Sequence, residues 1–457
     1  MTTGPTPSTP VARIRPRDRD AIVASLRAGV VPRAGHQHIQ VGRAAETRAV
    51  LADLERVADG GASCRFVIGE YGCGKTFFLH LIRSIAIQRR LVTMHADLSP
   101  DRRVHATGGQ ARSLYTELTH SCATRARPDG GALPGVVERF VTTALAEARS
   151  TGADPQDVIR DRLSGLSELP AGYDFAEVVA AYWRGHDTGA DQLKTDAVRW
   201  LRGEFSTRVD ARRALGVRTI IGDSGVYDHL KLLARFVRMA GYDGLLVCLD
   251  ELVNLYKLAS AKARSANYEQ LLRIVNDSMQ GGSAHLGFLL SGTPDFLLDT
   301  RRGLYSYPAL ASRLTENAFA ARSGLADLSG PVLRLGNLGP EELYLLLTRL
   351  RHVFACGDQA AYLVPDEALT GYMRHCSARI GDAYFRTPRE TIKGFLDLLA
   401  LLDQNPGLDW ATLMGAIDLT PAPEPAAHPA PAPDHTAPGA DRAAADPVDD
   451  ELSAFRL

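Results

Sequence analysis

The sequence predicts an α/β fold: a parallel sheet with helices on both faces, interrupted by a long helical insertion and followed by a C-terminal helical lid. Three observations lead there. Gly69-Glu70-Tyr71-Gly72-Cys73-Gly74-Lys75-Thr76 fits the eight-position phosphate-loop pattern, between the apolar run Cys64-Arg65-Phe66-Val67-Ile68 and an apolar helix opening at Thr76. A second apolar run, Leu245-Leu246-Val247-Cys248-Leu249, ends in Asp250-Glu251, as a buried parallel strand with acids at its tip would. Between the two, apolar spacing is helical through most of residues 109–241, far more chain than an ordinary crossover needs.

Composition bounds the function. A chain of 457 residues, 45% hydrophobic, can bury a sizeable core and suggests two or three domains. No apolar run approaches the roughly 18 residues of a membrane span, and the N-terminus lacks the apolar stretch of a secretory signal, so a cytoplasmic, non-membrane protein is expected. The six cysteines are scattered without paired ligand spacing, which argues against zinc or a disulfide framework. A net charge of −1 gives no global attraction for nucleic acid and leaves only local patches for it.

In chain order, residues 1–15 are Pro/Thr/Ser-rich and read as disordered. Residues 16–108 form the first part of the core. They hold a short amphipathic helix over 18–28, the turn to Val41-Gly42-Arg43, a helix over 45–58 and the strand, phosphate loop and helix already described. A second strand then runs over 91–97, with its end near the site because ligands of open α/β sheets collect at strand C-termini. Residues 109–241 form the insertion, with helices expected over 111–125, 135–149, 155–165, 174–184, 192–204 and 227–240. Trp183 and Trp200 read as core residues and His186 as a loop residue. Residues 242–338 resume the sheet with the acid-tipped strand, a helix over 267–280, a strand over 286–290 and a last strand over 332–335. Residues 339–405 supply three lid helices, each opened by proline in the first turn. Residues 406–448 read as a Pro/Ala-rich disordered tail, and 449–457, Asp-Asp-Glu-Leu-Ser-Ala-Phe-Arg-Leu, as a docking peptide on a tether.

The chemistry follows from the motifs. Backbone N–H groups at a helix N-terminus make a concave anion site, and glycines 69, 72 and 74 let the backbone approach phosphates closely. Lys75 would reach β and γ oxygens of ATP, while Thr76 and Asp250 would hold Mg²⁺ and Glu251 would orient the attacking water. Phosphate loop and acid-tipped strand together resemble the AAA+ class of P-loop ATPases. The resemblance implies an αβα sandwich in which Val41 and Gly42 line the adenine pocket. It implies a polar sensor at Ser291 or Thr293, with Thr293 preferred. It implies a trans-acting finger at Arg313, hence a homo-oligomer, and a second sensor at Arg389 with Arg386 in reserve. Cys73, just ahead of a helix N-terminus, sits where a thiol's pKa can fall; the plainer reading is a tolerated small residue.

Four phrases are more specific: Leu26-Arg27-Ala28-Gly29-Val30-Val31-Pro32-Arg33, His95-Ala96-Asp97-Leu98-Ser99-Pro100-Asp101-Arg102-Arg103, 230–238 and 299–307. They resemble the ATP-binding BrxD family of bacteriophage-exclusion (BREX) systems over about residues 18–405 and the short C-terminal peptide. That resemblance implies a bacterial ATPase of anti-phage defence working beside a helicase-like partner on DNA. The alternative is an ATP-gated switch or scaffold with negligible hydrolysis, like a transposition-regulator or initiator ATPase. Direct DNA binding through arginine-rich surfaces is a third reading.

Overall fold

The computed structural model describes residues 13–380, apart from 324 and 326, together with 388–416. The docking peptide 449–457, most of the Pro/Ala tract and Arg386 lie outside the described residues.

Five parallel strands form the sheet: β1 (Ala62–Ile68), β2 (Val92–Asp97), β3 (Leu245–Asp250), β4 (Leu286–Gly292) and β5 (Val332–Arg334), in the order β2-β3-β4-β1-β5. Alternation along the strands sends two apolar sets to opposite faces. Phe66, Met94, Val247, Phe288 and Leu290 face one layer, which includes the helices Val226–Met239 and Ala261–Gln280. Val67, Leu246, Cys248 and Leu289 face Ala44–Ala58 and the phosphate-loop helix Lys75–Gln88. The protein is therefore an αβα sandwich with an all-parallel sheet.

The insertion folds as helices, but its apolar side chains are continuous with the sheet. Phe140, Phe175, Trp183 and Trp200 belong to the same buried cluster as Phe66 and Leu245. It thus thickens one layer of the sandwich. Its first helix stops at His120, because Thr93 of β2 bridges Ala123 and draws the chain back to the sheet edge. An unexpected helix, Arg208–Leu215, is capped by the Thr207 hydroxyl and ended by left-handed Gly216. His186 lies within the helix Gly172–Thr188 rather than in a loop, its Nε2 3.2 Å from Glu138.

The lid helices Pro340–Phe354, Asp366–Ile380 and Pro388–Gln404 enclose their own apolar cluster. Two boundaries of the sequence reading change there. Ile14, Ile22, Val23 and Ile39 pack in the lid cluster, so residues 14–39 join the lid by packing instead of opening the core. Ile14 also donates its N–H to the Cys356 carbonyl at 3.1 Å, which places the end of the expected 1–15 tail in ordered structure. At the other end, Trp410–Ala416 is a helix inside the expected 406–448 tail, held because Trp410, Leu413 and Met414 fall on one face against the lid. Among the described residues, no helix is long and apolar enough to cross a membrane.

Candidate nucleotide-binding site

The site lies at the C-terminal edge of the sheet, where β1 passes into the phosphate loop. Gly69 has no room for a side chain, since a Cβ there would stand 2.7 Å from the Leu335 carbonyl oxygen. Gly72 and Gly74 have φ of +82° and +93°, and Gly74 is the left-handed residue from which the helix Lys75–Gln88 starts. The Lys75 ammonium donates to the carbonyls of Gly69 (2.9 Å) and Glu70 (2.8 Å), so it lies over its own loop. Cys73 is buried; burial pushes its thiol up, against the opposing pull of Lys75 and Arg43. This accords with the plainer reading of a tolerated small residue and not with an activated thiol, since desolvation outweighs the nearby positive charge.

β4 separates β1 from β3, so loop and acids meet across an intervening strand. Positions of one parity share a face, which puts Asp97, Asp250 and Ser291 under the phosphate-loop helix. Thr76 Oγ1 donates to Asp250 Oδ2 at 2.7 Å, while Asp250 Oδ1 accepts from the Glu251 N–H at 2.8 Å and from the Ser291 hydroxyl. Loop hydroxyl and buried carboxylate therefore meet as a pair of oxygen donors, a set that fits a hard divalent cation. Glu251 has φ of +58°, a left-handed turn that swings it out of the strand path. Burial and then the charge of Asp250 raise its carboxyl above the usual range, with Lys75 opposing.

The two sensor candidates differ in what they touch. Ser291 is fully buried within β4, which runs to Gly292, and its hydroxyl reaches Asp250. Thr293 lies past the strand, where its hydroxyl caps the helix Pro294–Leu298 by accepting from Phe296 N–H at 3.4 Å. The strand's alternation aims Ser291 at the acid and hands Thr293, the preferred candidate, to the next helix.

Val41 and Gly42 lie between loop and lid. Val41 packs on the lid cluster, and Gly42 (φ +61°) sits where any Cβ would strike the Glu342 carboxylate. Arg43 joins the same seam, donating to the Cys73 carbonyl at 3.3 Å and to that of Gly336. Arg389 of the lid donates to the Tyr71 hydroxyl at 3.4 Å and to the Gly29 carbonyl, so it stands beside the loop. Arg313 is not brought to this cluster by its hydrogen bonds: it donates to Asn276 Oδ1 (2.6 Å) and the Ala309 carbonyl (2.8 Å).

Sequence reading named the end of β2 as a place but not its residues. Register sets Asp97 opposite Asp250, and His95 follows on the same face two residues back. Burial lowers the His95 imidazole, and the Asp97 carboxyl, although its side chain is 59% exposed, is raised by desolvation of its inner side and by the charge of Asp250, with His95 opposing. Strand alternation counted from Asp97 was the available signal.

Residues 14–418 match the family described as BREX system ATP-binding protein BrxC/D. No curated protein matches the chain.

Proposed function

The chain belongs to the BREX system ATP-binding protein BrxC/D family, and from that premise we propose that it hydrolyses ATP as a working part of anti-phage defence. The observation that carries this reading is the contact of Thr76 with Asp250, beside Lys75 and Glu251. A switch that only binds nucleotide needs the loop; a carboxylate poised beyond it suits water attack. In the proposed reaction Glu251 orients and takes a proton from water as its oxygen attacks the γ-phosphorus, and ADP leaves with the bridging oxygen. Lys75 and loop N–H groups balance the spreading charge. Thr76 and Asp250 would hold Mg²⁺, which would supply neutralisation of the triphosphate charge.

The wider proposal is an AAA+ ATPase acting in the cytoplasm with a helicase-like partner on DNA, as a homo-oligomer in which Arg313 completes a neighbour's site. Arg389 and Ser291 serve as its sensors. The alternative, an ATP-gated switch, draws on the seam of Arg43, Glu342 and Arg389, which ties lid to loop. Lys75→Ala and Glu251→Gln separate the readings. Lys75→Ala should lose ATP binding, and Glu251→Gln should keep it while phosphate release falls about 100-fold or more. Parental turnover by Glu251→Gln would remove the base assignment. No turnover by the unaltered protein, alone or with DNA and partner, would favour the switch.

A further inference from the structure

We propose that His95, Asp97 and Asp250 form a second divalent-cation site, of the class that takes mixed imidazole and carboxylate donors, next to the nucleotide pocket. One ligand atom from each of the three lies within 4.8 Å of the other two. The arrangement follows from the sheet. Asp97 and Asp250 are register partners on adjacent parallel strands, and His95 shares their face. The His95 backbone is fixed independently of its ring, by its N–H to the Ser121 hydroxyl at 2.8 Å and by the ladder to Cys248.

An ordinary His–Asp ion pair explains the cluster poorly. His95 Nε2 stands 3.6 Å from Asp97 Oδ1, too far for a hydrogen bond, and it is shielded from solvent with no hydrogen-bond partner among the described residues. The nearby arginines are engaged elsewhere: Arg83 with Thr93 and the Ser121 carbonyl, Arg102 with Glu117. Two carboxylates side by side repel each other, and a dication between them removes that cost. Among the described residues Asp250 Oδ2 accepts one hydrogen bond, from Thr76, and a carboxylate oxygen has about two acceptor directions, so one stays available.

The donors also indicate the ion. Donors around an ion with bonds of about 2.1 Å sit roughly 3–3.5 Å apart, so a set already within 4.8 Å closes by modest side-chain movement. Asp97 has that freedom, its side chain being 59% exposed, and its open side leaves room for water ligands. One imidazole with two carboxylates suits Mn²⁺, Co²⁺ or Zn²⁺ better than Mg²⁺, which prefers oxygen and water.

The site shares Asp250 with the nucleotide reading, so the test is run on full-length protein without nucleotide. Mn²⁺ uptake is titrated by electron paramagnetic resonance, and Co²⁺ uptake by visible absorption. The unaltered chain and Lys75→Ala should each take up one ion. Loss of an outer partner of a metal ligand already costs about 10–100-fold in affinity, so His95→Gln and Asp97→Asn should each weaken uptake by at least about 100-fold. Retained ATP binding by the same variants certifies that they are folded. The proposal is overturned if the unaltered chain takes up neither ion, or if His95→Gln binds as tightly as the parent with the same Co²⁺ spectrum. Lys75→Ala losing both ATP and Mn²⁺ would likewise overturn it as a separate site.

Discussion

Replacing Ser291 and Thr293 one at a time by alanine asks which hydroxyl serves the acid. Ser291 is fully buried and donates to Asp250, so Ser291→Ala removes a hydrogen bond to a charged group whose other donors are the Glu251 N–H and Thr76. Hydrogen bonds to charged groups contribute about 1.5–3 kcal/mol, which converts to roughly 10- to 150-fold. That loss should appear in phosphate release at saturating ATP and in the Mg²⁺ dependence of ATP affinity. Thr293→Ala removes a 3.4 Å capping bond on a five-residue helix, worth at most about 0.5–1 kcal/mol of stability, and should leave both readouts within about twofold. Titrations of both variants with a fluorescent ATP analogue, followed by phosphate-release assays, decide it. Ser291 is not the hydroxyl that serves the acid if Thr293→Ala loses as much as Ser291→Ala, or if Ser291→Ala behaves as the parent.

Turnover should fall on the acid side through a pKa above the ordinary carboxylate range, because burial and Asp250 favour protonated Glu251, and only the ionised form accepts a proton from water. A pH profile of kcat/KM checks it, and an acid limb at or below the ordinary glutamate value would count against Glu251. His80, half-buried beside His95 with ring centroids 5.0 Å apart, is held down to about 3, chiefly by desolvation. Its folded value is below the unfolded one, so it stabilises fully above about pH 6.5 and that contribution is lost as pH falls toward 3. At pH 5 this amounts to about 1–2 kcal/mol after allowance for its partial exposure, and His80→Gln should shrink the urea-measured loss between pH 7.5 and 5 by that amount. Arg65 of β1 is buried against Asp53 and also donates to the carbonyls of Leu328 (2.6 Å) and Gly330 (2.7 Å). Asp53→Ala strands that charge and should cost about 3–5 kcal/mol, while Asp53→Leu with Arg65→Met should recover part of it in thermal melts.

The sheet was legible because its physics is local. An apolar run with carboxylates after it reads as a covered parallel strand, and glycines around Lys75 read as a turn that only glycine fits. The helix Arg208–Leu215 was missed because it buries only Ala211 and Leu215, leaving its cap at Thr207 and stop at Gly216 as the signals. Packing between distant segments was illegible for a different reason. Nothing in Ile14, Ile22 or Ile39 says whether their partner is the sheet or the lid, since an apolar face records that it is buried and not against what.

The same distinction governs the site. Loop and acid strand are not neighbours, and β4 between them makes the cluster a three-strand construction in which Ser291 donates to one oxygen of Asp250 while Thr76 donates to the other. A motif search finds the loop and the acid strand, and the AAA+ resemblance narrows the middle to Ser291 or Thr293 without choosing correctly which one faces the acid, because a serine at the end of an apolar strand carries no pattern of its own. What aims it is parity: in β3 and β4 the even-odd alternation that buries Leu249 and Leu290 on one face turns Asp250 and Ser291 to the other, under the phosphate-loop helix. Inserting one residue before Ser291 within β4 would flip that parity, withdraw the hydroxyl from Asp250 and present an apolar neighbour in its place.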